Sequence, residues 1–191
     1  MAPRIRHAAL ADTESIADAH LAGWMAAYRG VLDDAFLSTL DHARFVGYSR
    51  PRLENPEQGN AFLVAEFQGS IAGFTRAGPT RTATPTGDPL PDGFTQHASA
   101  ELYAIYLQPS AFGTGVGAAL LAAAAKEMLS FGHKAMCVWV LTDNTRALQW
   151  YKRRGAVPIA EAPITLGGVQ YPQTALLWRD LRPLAADAGH T

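Results

Sequence analysis

The sequence predicts a single α/β domain, and three observations carry that prediction. Short apolar runs of strand length alternate with stretches of helical spacing along most of the chain. Residues 101–121 set an apolar strand, a proline turn and three alternating glycines directly before an alanine-rich helix. The 191 residues, 48% of them hydrophobic, are enough for one domain with a substantial core and short for two. The domain is drawn over residues 1–182, and the tail 183–191 is expected to be disordered.

In chain order, residues 4–7 form a short first strand, and Asp12 is placed as the N-cap of a helix reaching about residue 29. Ile16, His20, Trp24 and Tyr28 recur every four residues there and give the helix a broad aromatic face. Residues 33–40 add a short helical turn, whereas 41–59 is polar and poorly periodic and receives no element. Segments 61–67 and 70–76 flank Gln68-Gly69, a two-residue turn signal, and read as a hairpin. From 77 to 98 the chain carries four prolines and three glycines with little apolar pattern, a loop inside the domain. After the 101–107 strand, Leu120, Leu121, Ala124, Ala125, Met128 and Leu129 keep helical spacing, with Gly132 as the stop. A buried strand over 134–141, a helix over 145–154 ended by Gly155, and strands over 157–160 and 170–179 complete the reading.

Composition excludes more than it assigns. A net charge of −1 offers no reason to expect nucleic acid or an anionic membrane as partner. No apolar run approaches the ~20 residues of a membrane span, and the first residues lack the apolar core of a signal peptide, so a cytoplasmic location is expected. Cys137 lies in an apolar run and reads as a buried strand thiol rather than a nucleophile. The six histidines show no metal-ligand spacing, so no metal is expected, and the chain is taken as a monomer or a homodimer.

The glycines carry the functional signal. Gly113, Gly115 and Gly117 lack Cβ atoms, so the backbone can curl into a helix start whose free N–H groups and positive dipole end converge on an anion. This is a way to hold pyrophosphate, and it implies a phosphorylated cofactor. A nucleotide-triphosphate loop would need Lys and Ser or Thr after the last glycine, where Ala118 and Ala119 stand. A dinucleotide fingerprint fits poorly as well. Its third glycine falls one position early, residues 108–112 separate strand from glycines, and little chain remains for further βαβ units.

The segment instead resembles the acyl-coenzyme A loop of the GCN5-related N-acetyltransferase (GNAT) family, written Gln/Arg-x-x-Gly-x-Gly/Ala, through Gly113-Thr114-Gly115-Val116-Gly117-Ala118. The preceding Ile105-Tyr106-Leu107-Gln108-Pro109 matches the family's strand and proline, and residues 144–156 echo its Asn…Tyr-Glu-Arg-x-Gly-Phe signature. Phe112 stands where Gln or Arg is usual, and Ala156 where an aromatic is usual. The resemblance spans about residues 4–181, with 101–156 the specific part.

It implies a central mixed, mostly antiparallel sheet of six to seven strands flanked by helices, splayed between the 101–107 and 134–141 strands. It also implies transfer of acetyl from acetyl-coenzyme A to a primary amine of a small molecule or peptide, by direct attack in a ternary complex. A non-catalytic acyl-coenzyme A sensing domain is the alternative. An amine near neutral pH is mostly ammonium and needs to lose a proton, for which Glu101 is the candidate base, with Glu66 and Asp143 behind it. A backbone N–H freed by the splay would meet the charge growing on the thioester oxygen. Ile105, Tyr106 and Leu107 would bind the pantetheine arm as an added strand, residues 113–118 the pyrophosphate, and Asn144 the arm near the sulfur. Tyr151, nearly two helical turns from Asn144 and so on the same face, would protonate the leaving thiolate. Trp24 and Tyr28 are candidate acceptor contacts, and the 77–98 loop a flexible flap beside the acceptor. The plainer readings are a solvated strand-end carboxylate for Glu101, packing for Tyr151 and an N-cap for Asn144.

Overall fold

The computed structural model describes residues 2–186. Seven strands form one sheet in the order β1-β2-β3-β4-β5-β7-β6. They are β1 (Arg4–His7), β2 (Ala61–Phe67), β3 (Ser70–Pro79), β4 (Ala100–Leu107), β5 (Met136–Leu141), β6 (Val157–Leu166) and β7 (Val169–Trp178). Every neighbouring pair is antiparallel except β4 and β5. The expected hairpin forms because Gln68 and Gly69 both take left-handed backbone, at φ 53° and 81°, which matches the twist of the strands they join.

Six helices accompany the sheet: α1 (Thr13–Tyr28), α2 (Asp34–Ser38), α3 (His42–Glu54), α4 (Val116–Ser130), α5 (Thr145–Lys152) and α6 (Arg182–Ala186). Leu120, Leu121, Ala124, Ala125 and Met128 of α4 are sealed against Leu102, Met136 and Leu176 on one face of the sheet. On the other face α1 places Ile16 and Ala19 against Val64, Phe74 and Ala104.

Several expectations need correction. Asp12 makes no cap bond to α1. Its carboxylate accepts from Ala9 N and pairs with Arg6 through both oxygens, tying β1 to the helix start. Residues 42–54, read as unstructured, are α3, capped by Asp41, whose Oδ1 accepts from Arg44 N. Only Phe45 and Ser49 of α3 are buried, so its apolar stripe is too thin to show as a period, and Pro51 sits inside it. The expected disordered tail is α6 through residue 186, because Leu184 and Ala185 bury against the core; residues 187–191 lie outside the described part. The 77–98 loop is packed rather than free. Phe94 is buried against Trp139, and Asp88 accepts hydrogen bonds from the Thr165 amide and hydroxyl on β6.

Candidate active site

The sheet opens at its one parallel junction. β4 and β5 pair only at Ala100↔Met136 and Glu101↔Cys137 and then diverge. Beside this point the β3–β4 register shifts and leaves Tyr103 as the extra residue of a bulge. The divergence opens a cleft of about 680 Å³, a size suited to a substantial ligand. It is lined by β4 from Leu102 to Leu107, by Val138, Trp139 and Val140 of β5, by the start of α4 and by α5.

At one end stands the glycine loop. Gly113 and Gly115 have φ of 76° and 87°, a region closed to most side chains, and a Cβ built on either meets nothing within 4 Å. Their backbone therefore faces open space. Gly117 has an ordinary φ, but its Cβ would come within 3.3 Å of Leu107 and Trp150, so this glycine serves close helix packing. The first bond of the α4 turn runs from Ala119 N to Gly115 O, which leaves the amides of Val116, Gly117 and Ala118 without an intrahelical acceptor. These amides and the dipole of a fifteen-residue helix suit a pyrophosphate. Gly113, Gly115, Gly117 and Ala118 line the cleft; Thr114 and Val116 do not. The Thr114 hydroxyl donates to Ala111 O and the Val116 side chain is fully buried, so these two contribute backbone alone.

The middle of the cleft gathers phenols. Tyr151 is buried with its ring edge-on to Trp150 and Trp178, and burial pushes its hydroxyl well above the ordinary range, which keeps it protonated at neutral pH. Tyr28 and Tyr106 place their hydroxyls 3.2 Å apart, and burial raises both. Ile105 and Leu107 turn their side chains to the α4 side, so the strand meets the cleft with backbone and Tyr106 with its ring toward α1. Asn144 lines the cleft as well, and its Oδ1 caps α5 by accepting from Ala147 N at 3.2 Å.

Glu101 is not brought to the cleft. It is 1% exposed, and its carboxylate is taken up by the Arg81 guanidinium, through Nε and Nη2, and by the Arg81 backbone amide. So buried and engaged, Glu101 is not among the residues that line the cleft. Glu66 is remote too, paired with Arg4 and Arg6 at the β1 edge. Trp24 packs between Tyr28, Phe36 and Phe45 behind the wall, and of the two proposed acceptor contacts Tyr28 alone lines the cleft.

Other lining groups escaped the sequence reading or were discounted there. Arg146 lies over the ring of Phe112 at 4.4 Å, so a guanidinium from α5 stands beside the position where the loop lacks its usual polar residue. Arg153 and Arg154 also line the cleft, and Arg154 lies over Trp150 at 4.1 Å. The signal was present as three arginines on one short segment, but helix-end cations are common enough to hide it. Asp143 is the carboxylate among the described lining residues. Cys137 is fully buried, and burial raises its thiol, which accords with an inert strand position. Among the described residues no cluster of metal-ligating side chains occurs, and no helix is long and apolar enough to cross a membrane.

Comparisons with known proteins agree with this geometry. The N-acetyltransferase YuaI of Bacillus subtilis (strain 168), itself uncharacterized, is 29% identical over 180 residues, 94% of this chain and 95% of the relative. The fold matches the PaiA N-acetyltransferase of Thermoplasma acidophilum in complex with coenzyme A at a TM-score of 0.67, with 18% identity over 91% of this chain and 98% of that one. It also matches yncA of Salmonella typhimurium, a putative acetyltransferase solved with acetyl-CoA, at 0.64, with 20% identity and 95% of each chain covered. A profile of the Acetyltransferase (GNAT) family fits residues 21–156. A splayed β4–β5 pair, a glycine-made anion seat and this match together place the chain in the Acetyltransferase (GNAT) family, as an acyltransferase whose donor is acetyl-coenzyme A.

Proposed function

We propose that the protein transfers acetyl from acetyl-coenzyme A to the primary amine of a small molecule or peptide, by direct attack in a ternary complex. The observation that carries this reading is Tyr151: a buried phenol, held protonated, lining the cleft that opens where β4 leaves β5. Acetyl-coenzyme A supplies the thioester. The amides at the start of α4 hold its pyrophosphate, with Arg146 and Arg153 adding positive charge, and the open edge of β4 takes the arm as an added strand. A backbone N–H at the Tyr103 bulge, no longer matched to a partner in β3, is the donor for charge developing on the thioester oxygen.

The acceptor enters from the α1 face, past Tyr28 and Trp139. With Glu101 engaged elsewhere, the ammonium sheds its proton to water, and Asp143 is the lining carboxylate available to receive it. As the carbon–sulfur bond breaks, Tyr151 gives its proton to the leaving sulfur, and the second proton shed by the newly acylated nitrogen returns to Tyr151 by way of solvent. The test is thiol release from acetyl-coenzyme A over a panel of primary amines, with N-acetylated product identified by mass spectrometry. Amine-dependent release is expected. Tight acetyl-coenzyme A binding with no release on any amine would favour a sensing domain instead.

A further inference from the structure

Beyond Tyr103, on the α1 side of the sheet, a cluster of arginines and aromatic rings stands outside the cleft proper. Arg76 on β3 is 9% exposed, yet no ion pair among the described residues involves it. Its Nη1 donates to the Tyr48 hydroxyl at 2.9 Å, and its guanidinium faces the rings of Tyr48, Phe62 and Tyr103 at 5.6, 5.7 and 5.2 Å. A guanidinium offers five N–H donors, and sinking its charge is costly without an anion. The side-chain nitrogens of Arg76 that lack a partner are absent from the sealed, unpaired polar atoms, so they remain open to solvent.

The neighbouring cations divide sharply. Arg81, 5.0 Å from the Tyr103 ring, is neutralised by Glu101. Arg52, exposed on α3 and 4.2 Å over the Tyr48 ring, has no acid of its own among the described residues. His20 adds no charge, since burial first and then Arg52 and Arg76 hold it down to about 3. The carboxylates that act on Tyr103 are Glu101, already used, and Glu57, which accepts from Asn60. What remains is an excess of positive charge, fixed by aromatic rings and in contact with Tyr103, a residue that also lines the cleft.

We propose that the acceptor is a small primary amine that also carries a carboxylate, its amine in the cleft and its carboxylate on Arg76, with Arg52 at the rim. This assignment rests on the transferase reading above and names the substrate class of that site. Tyr103 joins the two anchors: the residue lines the cleft at the β4 bulge, while its ring extends over β3 to meet the guanidiniums of Arg76 and Arg81 and its hydroxyl donates to Pro79 O. Arg76 would thus be a specificity-determining residue, binding the end of the substrate that does not react.

The experiment compares amino acids of graded length, from glycine through β-alanine to γ-aminobutyrate and ε-aminocaproate, with their primary amides, in the full chain with acetyl-coenzyme A. In the parent protein kcat/KM should favour the acid over the amide by about tenfold or more at one length at least, as expected for a charge-assisted contact. In Arg76→Gln that ratio should fall to within about twofold, and Arg76→Lys should keep part of it. A ratio near one at every length in the parent, or a preference that survives Arg76→Gln, overturns the proposal. Loss of coenzyme A affinity in a folded Arg76→Gln also overturns it, by moving the arginine to the donor side. If Arg76→Gln does not fold, Tyr48→Phe, which removes the hydroxyl that orients the guanidinium, should lower the same ratio, and an unchanged ratio there counts against the proposal. If no amine is acetylated, calorimetry of the same pairs on the coenzyme A-loaded protein separates the two readings. Arg76-dependent binding of the acids keeps the carboxylate site while the transfer reading fails; absence of such binding overturns this proposal too.

Discussion

The two sides of the β4–β5 opening are made of different material. On the proposed donor side the groups come mainly from backbone, as positive-φ glycines, free amides of α4 and a strand edge, with Arg146 and Arg153 the side-chain additions. On the proposed acceptor side they come from side chains, with Tyr48, Arg76 and Tyr103 brought together from α3, β3 and β4, and Tyr28 of α1 held to Tyr106. A backbone-made seat leaves a spacing in the sequence, because only glycine tolerates those angles. A side-chain-made seat leaves none, since its members meet only through the fold.

That contrast can be broken in four ways, the largest effect first. Gly115→Asp puts a side chain at φ 87° and a negative charge into the anion seat. Coenzyme A affinity measured by calorimetry should drop at least ~100-fold, about 2.7 kcal/mol or more. Retained affinity in a folded variant would remove the loop from the donor site.

Tyr151→Phe deletes one hydroxyl from the meeting point of the two sides. Turnover should fall about 100-fold, within the usual range for a lost proton donor, with acetyl-coenzyme A affinity nearly unchanged. Because burial holds this phenol protonated, its ionisation should leave no mark on the pH–rate profile through neutral and mildly alkaline pH. Equal turnover in parent and variant would return Tyr151 to a packing role.

Glu101→Gln distinguishes chemistry from architecture. As a base it would produce a loss that recovers as pH rises. As the partner of Arg81 it should instead cost stability, about 2–3 kcal/mol, somewhat below the ~3–5 of a fully buried pair because Arg81 retains solvent contact. The melting temperature should drop by roughly 5–10 °C, with the shape of the pH–rate profile kept.

The smallest effect concerns the loop over residues 80–98, tethered to β6 through Asp88. Hydrogen bonds from Thr86 first, and then from the Thr165 amide and hydroxyl, pull the Asp88 carboxyl down to about 2. A depressed folded-state value means that this tether is fully present above the unfolded-state value near 4 and is lost as pH falls toward 2. Hydrogen-exchange protection of residues 80–98, measured against the intrinsic rate at each pH, should therefore fall over that interval in the parent protein. Asp88→Asn should exchange fast already at neutral pH and show no acid transition, while an acid transition that persisted in the variant would assign the tether elsewhere.

Most of the strands, both long helices next to the cleft and the glycine seat were legible because each is written locally. The period of α4, the Gln68-Gly69 turn and the glycine stops at 132 and 155 all mark the structure at their own positions. The acceptor face was not legible. α3 hid because two buried residues make no visible period, and Arg76 looked like any strand arginine until Tyr48 and Tyr103 were placed beside it. Glu101 misled for the same reason in reverse: its partner, Arg81, lies in a loop whose path carries no pattern. Asn144 and Tyr151 were named from the family resemblance, and both line the cleft.

The two-residue junction between β4 and β5 also bears on mechanics. It divides the sheet into a four-strand leaf, β1 to β4, and a three-strand leaf, β5-β7-β6, sharing one short seam. In the proposed binding mode an acyl carrier laid along the edge of β4 would act as a lath across that gap, adding rungs that the polypeptide itself omits. The donor is then a building element as well as a reagent, and each turnover removes and replaces part of the frame. Resistance to heat should rise with donor concentration through this seam, in step with occupancy, and the leaves should be freest to shift relative to each other between release of one carrier and capture of the next.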